Sequence, residues 1–81
     1  MELKDTIEMM TSEDFKERFK AEYIQLKIRY QKLHVMTVKY EAGKLDFKPH
    51  CSLELLKEQE DLMYKYLRVL EVRALIEGIE L

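Results

Sequence analysis

In the first half of the chain, Phe19, Tyr23, Leu26, Tyr30, Leu33, Thr37 and Tyr40 recur at alternating spacings of four and three. A heptad period of this kind predicts one helix face packed along the length of another helix. A second series, Ile24, Ile28, Val35 and Val38, lies on nearly the opposite side of the same helix, interrupted only by Gln31. In the second half, Glu54, Glu58, Asp61, Lys65 and Arg68 form one narrow wet stripe. Leu55, Leu56, Leu62, Met63, Leu67, Val69, Leu70, Ala74 and Ile76 fill a face roughly 200° wide, broader than the ordinary apolar stripe of a surface helix.

The breaks between these patterns cluster in "AGKLDFKPHCS", residues 42–52. Gly43 suits the residue just past a helix end, and Pro49 blocks continuation. Ser52 or Cys51 caps the next helix, with Ser52 the better acceptor and Glu54 in the first turn. Upstream, Thr11 and Ser12 are candidate caps, and Thr11 with Asp14 approximates a capping box. The expected organisation is a single domain, 1–81: an N-terminal segment 1–11, a helix 12–42, a loop 43–51 and a helix 52–80. Two helices of some thirty residues, each about 45 Å long, joined by one short loop, predict an antiparallel helical hairpin. Leu3, Ile7 and Met10 share a face, so a short third helix over 2–9 is an option.

A two-helix hairpin cannot cover both surplus faces. The fold class expected is therefore all-α, a helical hairpin assembled as a homo-oligomer through Ile24, Ile28, Val35, Val38 and the excess leucine face. The alternative is that the N-terminal segment folds back, and it is long enough to cover only part of the stripe from 24 to 38.

Composition narrows the class further. Two glycines and one proline point to helix. A chain this short has a small core, and Cys51, the only cysteine, rules out an internal disulfide and suits a reducing, cytoplasmic setting. The first ten residues carry acids and no apolar core, so no signal peptide is expected, and no apolar run approaches the length that spans a membrane. The net charge is −2, but it is unevenly spread. Residues 16–39 carry Lys16, Arg18, Lys20, Lys27, Arg29, Lys32 and Lys39 against Glu17 and Glu22. Such a basic helix between acidic segments either pairs with them or binds an anion. Long-helix binding to a DNA or RNA polymer would need a denser basic region and is not expected.

Two sets of polar residues stand out at heptad spacing. Gln59, Tyr66 and Arg73 fall within the broad leucine face, where Arg is rarely buried unpaired. Either they hydrogen-bond across the seam, with Arg73 reaching solvent or a carboxylate such as Glu22, or they line a cavity between chains. Lys20, Lys27 and His34 border the seam of the first helix beside Tyr23 and Tyr30. Lysine stems that cover the seam while their heads stay wet explain that pattern. So does a site for a phosphate with a stacked base, because Lys supplies point charge and Tyr a flat ring with a hydroxyl. The candidate ligand-binding residues are therefore Lys20, Tyr23, Lys27, Tyr30, His34, Gln59, Tyr66 and Arg73.

Catalysis is not expected. His50 and Cys51 are adjacent in the loop, where neighbouring side chains diverge, and no third group orients them. Two histidines and one cysteine are too few for a metal site of the usual kind, and no cofactor is implied.

The run Leu55, Leu56, Gln59, Met63, Tyr66, Leu70 and Arg73, with Leu26, Tyr30 and Leu33 upstream, resembles small helical-hairpin proteins of crAss-like and other gut phages. "QLKIRYQKLH", "VKYEAGKLDF" and "LEVRALIEGIEL" carry that likeness, over residues 19–81. More distantly the chain is similar to the phage anti-CBASS and anti-Thoeris sponge family. The resemblance implies a non-enzymatic homo-oligomer, hexamer or dimer, in the cytoplasm of an infected bacterial host. It would sequester a cyclic nucleotide immune signal, a cyclic oligonucleotide or a cyclic ADP-ribose isomer. The alternative function is a helical interaction module that inhibits a host protein through an open apolar face.

Overall fold

A computed structural model describes residues 1–81. A 3-10 turn, Leu3–Thr6, runs into a short helix α1, Ile7–Met10. Two long helices follow, α2 at Phe15–Glu41 and α3 at Leu53–Glu77, and there are no strands.

The long helices begin and end where local chemistry dictates. α2 is capped by Asp14 and starts at Phe15, three residues later than a Thr11 cap and two later than a Ser12 cap would have it. The Asp14 carboxylate accepts from the Lys16 N–H at 2.9 Å, and the Ser12 hydroxyl accepts from the Asp14 N–H at 3.1 Å. Thr11 is engaged elsewhere, donating its hydroxyl to the Ile7 carbonyl at 3.1 Å at the end of α1. At the other end, Gly43 sits at φ +71°. The Lys44 N–H reaches the Lys39 carbonyl at 2.8 Å, and the Gly43 N–H reaches Tyr40 at 3.1 Å. That pair of bonds satisfies carbonyls the helix would otherwise leave open. Ser52 caps α3 by accepting from the Leu55 N–H at 3.2 Å, as expected.

α3 stops at Glu77 rather than 80, because Gly78 turns left-handed at φ +70°. The Ile79 N–H then bonds the Ala74 carbonyl at 2.8 Å, and the Ile79 side chain is buried in the core.

α2 and α3 run antiparallel. Glu41 meets Lys57 beside the loop, Tyr30 meets Tyr64 at mid-length, and Tyr23 meets Glu71 towards the far end. Every member of the α2 heptad series from Phe19 to Tyr40 is buried or half-buried. The matching series on α3 is Leu53, Leu56, Glu60, Met63, Leu67, Leu70 and Ala74, and every other α3 residue is exposed. The core proper lies at the end away from the loop, formed by Phe19, Tyr23, Leu67, Leu70, Ala74 and Ile79. Leu70 is wholly enclosed, worth about 1.5–3 kcal/mol for a leucine side chain removed from water.

The broad leucine face thus resolves into two stripes. One faces α2. The other, Leu55, Leu62, Val69 and Ile76, faces outward. On α2 the second apolar series is partly covered, because the N-terminal segment does fold back. Thr6 is fully buried; it donates to the Leu3 carbonyl at 2.7 Å and accepts from the Gln25 amide at 2.9 Å. Within that segment Leu3 and Met9 are half-buried beside Thr6, whereas Ile7 and Met10 are exposed. The cover is short. Ile24 and Ile28 are half-buried, whereas Val35 and Val38 remain exposed.

Candidate functional site

A helix turns about 100° per residue, so positions seven apart line one edge of a hairpin. Lys20, Lys27 and His34 line one such edge of α2, with Tyr23 and Tyr30 between them and the seam. Lys27 Nζ lies 5.8 Å from the centre of the Tyr23 ring, within reach of the ring's negative face. The rings of Tyr30 and His34 stack at 6.0 Å with 14° between their planes. Tyr30 also meets Tyr64 of α3, at 6.0 Å and 44°. A groove of about 390 Å³ runs here, lined by Tyr23, Lys27, Tyr30, Gln31, Tyr64, Leu67, Arg68 and Glu71. A second groove of about 430 Å³ shares Tyr23, Lys27 and Gln31 with it and adds Lys20, Ile24 and Ile28. Both volumes fall within the roughly 300–1,000 Å³ typical of small-molecule sites.

Two acids hold this edge together. The Tyr23 hydroxyl donates to Glu71 at 2.7 Å. Burial, with the hydrogen bond to Glu71 and its charge added, pushes the Tyr23 phenol up to about 12, so the phenol stays protonated and donating at neutral pH. Nearer the loop, Glu60 lies inside the seam. It accepts from the Thr37 hydroxyl and pairs with His34 Nδ1 at 3.1 Å. The Thr37 hydrogen bond lowers its pKa most; burial opposes that, and His34 and Lys57 add to it. Glu60 is thus an ionised group that fixes the His34 ring, which in turn stacks on Tyr30.

The other three candidates lie on the opposite edge. Tyr66 donates to Glu22, and that bond, followed by burial and the Glu22 charge, raises its pKa against the Arg73 charge. Arg73 does not reach Glu22. Its Nε bonds Glu77 at 3.0 Å, and its guanidinium lies 4.9 Å over the Phe19 ring. Gln59 is exposed, and its amide donates to the Met63 sulfur at 3.9 Å. Within one chain, then, Lys20, Tyr23, Lys27, Tyr30 and His34 come together. Gln59, Tyr66 and Arg73 form a separate group flanking the outward stripe of α3.

The structure adds Tyr64, Arg68 and Glu71 to the groove and Glu60 to its support. A sequence signal existed for two of them, since Tyr64 and Glu71 are seven apart and flank the leucine seam. Arg68 is indistinguishable from a solvated charge until α2 is laid beside it. No group of three or more His, Cys, Asp or Glu is placed to hold a metal ion, and no helix is long and apolar enough to cross a membrane.

Fold and groove together define a small all-α hairpin protein whose one long edge is cationic and tyrosine-lined. The chain belongs to the Sequestin family, whose model matches residues 13–76, a span that takes in α2, the loop and nearly all of α3. The family name is compatible with a protein that sequesters a molecule. No curated protein and no solved structure matches the chain.

Proposed function

We propose that the protein is a phage-encoded sponge that holds a cyclic nucleotide immune signal, a cyclic oligonucleotide or cyclic ADP-ribose isomer, without transforming it. The observation that carries this reading is the pair of adjoining grooves that share Tyr23 and Lys27, one with Lys20 and the other with Arg68, Tyr30 and Tyr64. Phosphates need cations and bases need flat rings, and this edge offers both within one ligand's length. Membership of a family named for sequestration supports the same reading. In this reading the protein is a homo-oligomer in the host cytoplasm, because the outward stripes of α2 and α3 are apolar and uncovered in a single chain.

Binding to the folded state alone would stabilise the protein by about 2.7 kcal/mol at a hundredfold excess over Kd. A thermal-shift screen against cyclic di- and trinucleotides and cyclic ADP-ribose isomers should therefore find a ligand. Lys27→Ala and Arg68→Ala should each weaken it roughly ten- to a hundredfold, the cost of one charge-assisted hydrogen bond. A panel without any shift would refute the nucleotide ligand. The second reading, a module that docks on a host protein, is favoured by Leu75 and Ile76, the most exposed aliphatic side chains of α3. It predicts a single-chain species in solution whose apolar face is covered only in the complex.

A further inference from the structure

We infer that Arg68 and Glu71 read the base of the ligand and select guanine. This rests on the nucleotide reading above and adds which base the site takes and how it lies. Tyr64, Arg68 and Glu71 follow one another at spacings of four and three, so they are neighbours on one face of α3. All three are exposed and line the groove of about 390 Å³. Arg68 has no carboxylate within ion-pair distance, Glu71 included. Glu71 is held instead from across the seam, where the Tyr23 hydroxyl donates to its Oε2 at 2.7 Å. A carboxylate has about four acceptor sites, so that bond leaves most of them open to the groove.

A guanidinium only donates and a carboxylate only accepts. Set one turn apart beside a flat ring, they match a base edge with acceptors at one end and donors at the other. Guanine has that order: N7 and O6 accept, and N1–H and N2–H donate. Arg68 takes the first pair, the contact by which Arg reads guanine in DNA, and Glu71 takes the second. Adenine offers one acceptor and one donor, N7 and its N6 amine, and its N1 acceptor then faces a carboxylate that repels it. Cytosine offers two acceptors but a single donor. The ring lies on Tyr64, whose 58% exposure leaves a face open for stacking. Glu71 also sets the direction of the rest of the molecule, because a carboxylate repels phosphate. The phosphates lie towards Lys20 and Lys27, in the adjoining groove, which no acidic side chain lines. Neither lysine is ion-paired. Lys20 is half-buried, where an ammonium without a counter-ion is costly, and a phosphate supplies one.

Isothermal titration calorimetry with GMP, IMP, AMP and CMP, and with cyclic di-GMP and cyclic di-AMP, tests the assignment. GMP should bind at least tenfold more tightly than AMP or CMP, the worth of a bidentate base contact. IMP, which lacks the N2 amine, should fall between. Cyclic di-GMP should exceed cyclic di-AMP in the same sense. Glu71→Gln keeps an acceptor for the Tyr23 hydroxyl but presents a glutamine, which reads adenine, so the ratio of GMP to AMP affinity should fall at least tenfold. Arg68→Gln, at a side chain with no ion-pair partner, is the second variant and should lower the same ratio. A Glu71 that only braced Tyr23 would weaken all the nucleotides together and leave the ratio alone. Equal or tighter binding of AMP, or both variants keeping the wild-type ratio, overturns the inference. Binding of adenine compounds alone removes the guanine site and leaves the sponge standing. A GMP preference with no cyclic compound bound sinks the sponge and leaves the guanine site, and a panel in which nothing binds overturns both.

Discussion

Replacing Tyr23 by Phe removes one oxygen atom and leaves the ring in place. The ring is 9% exposed and belongs to the core with Phe19, Leu67 and Leu70, so its packing survives. What goes is the hydroxyl that donates to Glu71 at 2.7 Å. Hydrogen bonds to charged groups contribute about 1.5–3 kcal/mol, and Glu71 is exposed, so its carboxylate regains water and the cost falls at the lower end. In a domain of this size about 1.5 kcal/mol is a drop in Tm of roughly 6–12 °C, measured at fixed protein concentration by circular dichroism. The same bond sets a pH signature. The phenol is held up to about 12 in the fold and near 10 in the unfolded chain. The folded state therefore binds the proton more tightly. Its stabilisation is complete below about pH 10 and is lost as pH rises towards 12. Tyr23→Phe lacks this contribution, so the gap in Tm between the two proteins should narrow above pH 10. An unchanged Tm at pH 7, or a gap of constant size up to pH 12, would refute the reasoning.

Glu60 carries the opposite sign. Its pKa is lowered in the fold, chiefly by Thr37, so its stabilisation is present above the ordinary carboxylate range and lost as pH falls through the folded value. Thr37→Val should flatten the fall in Tm between pH 5 and pH 3. Leu70→Ala, at a fully enclosed site, should cost about 2–5 kcal/mol, enough to leave the chain largely unfolded in a urea titration. Gly78→Ala forces an L side chain into the left-handed region at φ +70°, costing about 1–2 kcal/mol. Amide exchange at Ile79 should accelerate with it as the bond to Ala74 loosens.

The hairpin was legible because α2 carries one unbroken heptad series and Gly43, Pro49 and Ser52 mark the turn. Which stripe of α3 faces inward was not. The outward stripe, Leu55, Leu62, Val69 and Ile76, is wholly aliphatic, while the buried one contains the acid Glu60. Hydropathy favours the wrong stripe. Glu60 can be enclosed only because Thr37 and His34, more than twenty residues away in sequence, supply its hydrogen bonds. The error carried over to Gln59, Tyr66 and Arg73, which looked central to one wide face and prove to flank two narrow ones. The basic and tyrosine half of the site was readable from α2 alone. Its α3 half, Tyr64, Arg68 and Glu71, depends on how the helices register. Gly78 ends α3 early because a left-handed turn there buries Ile79, a contact that helical periodicity does not encode.

The pairs along the seam also order the chain's closure in time. Glu41 and Lys57 are 16 residues apart, Thr37 and Glu60 23, and Tyr23 and Glu71 48. Each step away from the loop adds a contact whose ends the previous one has already brought near, so the entropy of closure is spread over small increments. Such a chain zips from the loop outward, and its mostly local topology makes it a fast folder. The last stretch to close, where Tyr23 meets Glu71, also holds the buried core, so once formed it is the part that local opening reaches last. That is also the end where the two grooves join, so an occupant bridging Lys27 and Arg68 would act as a clasp on the last teeth of the zip.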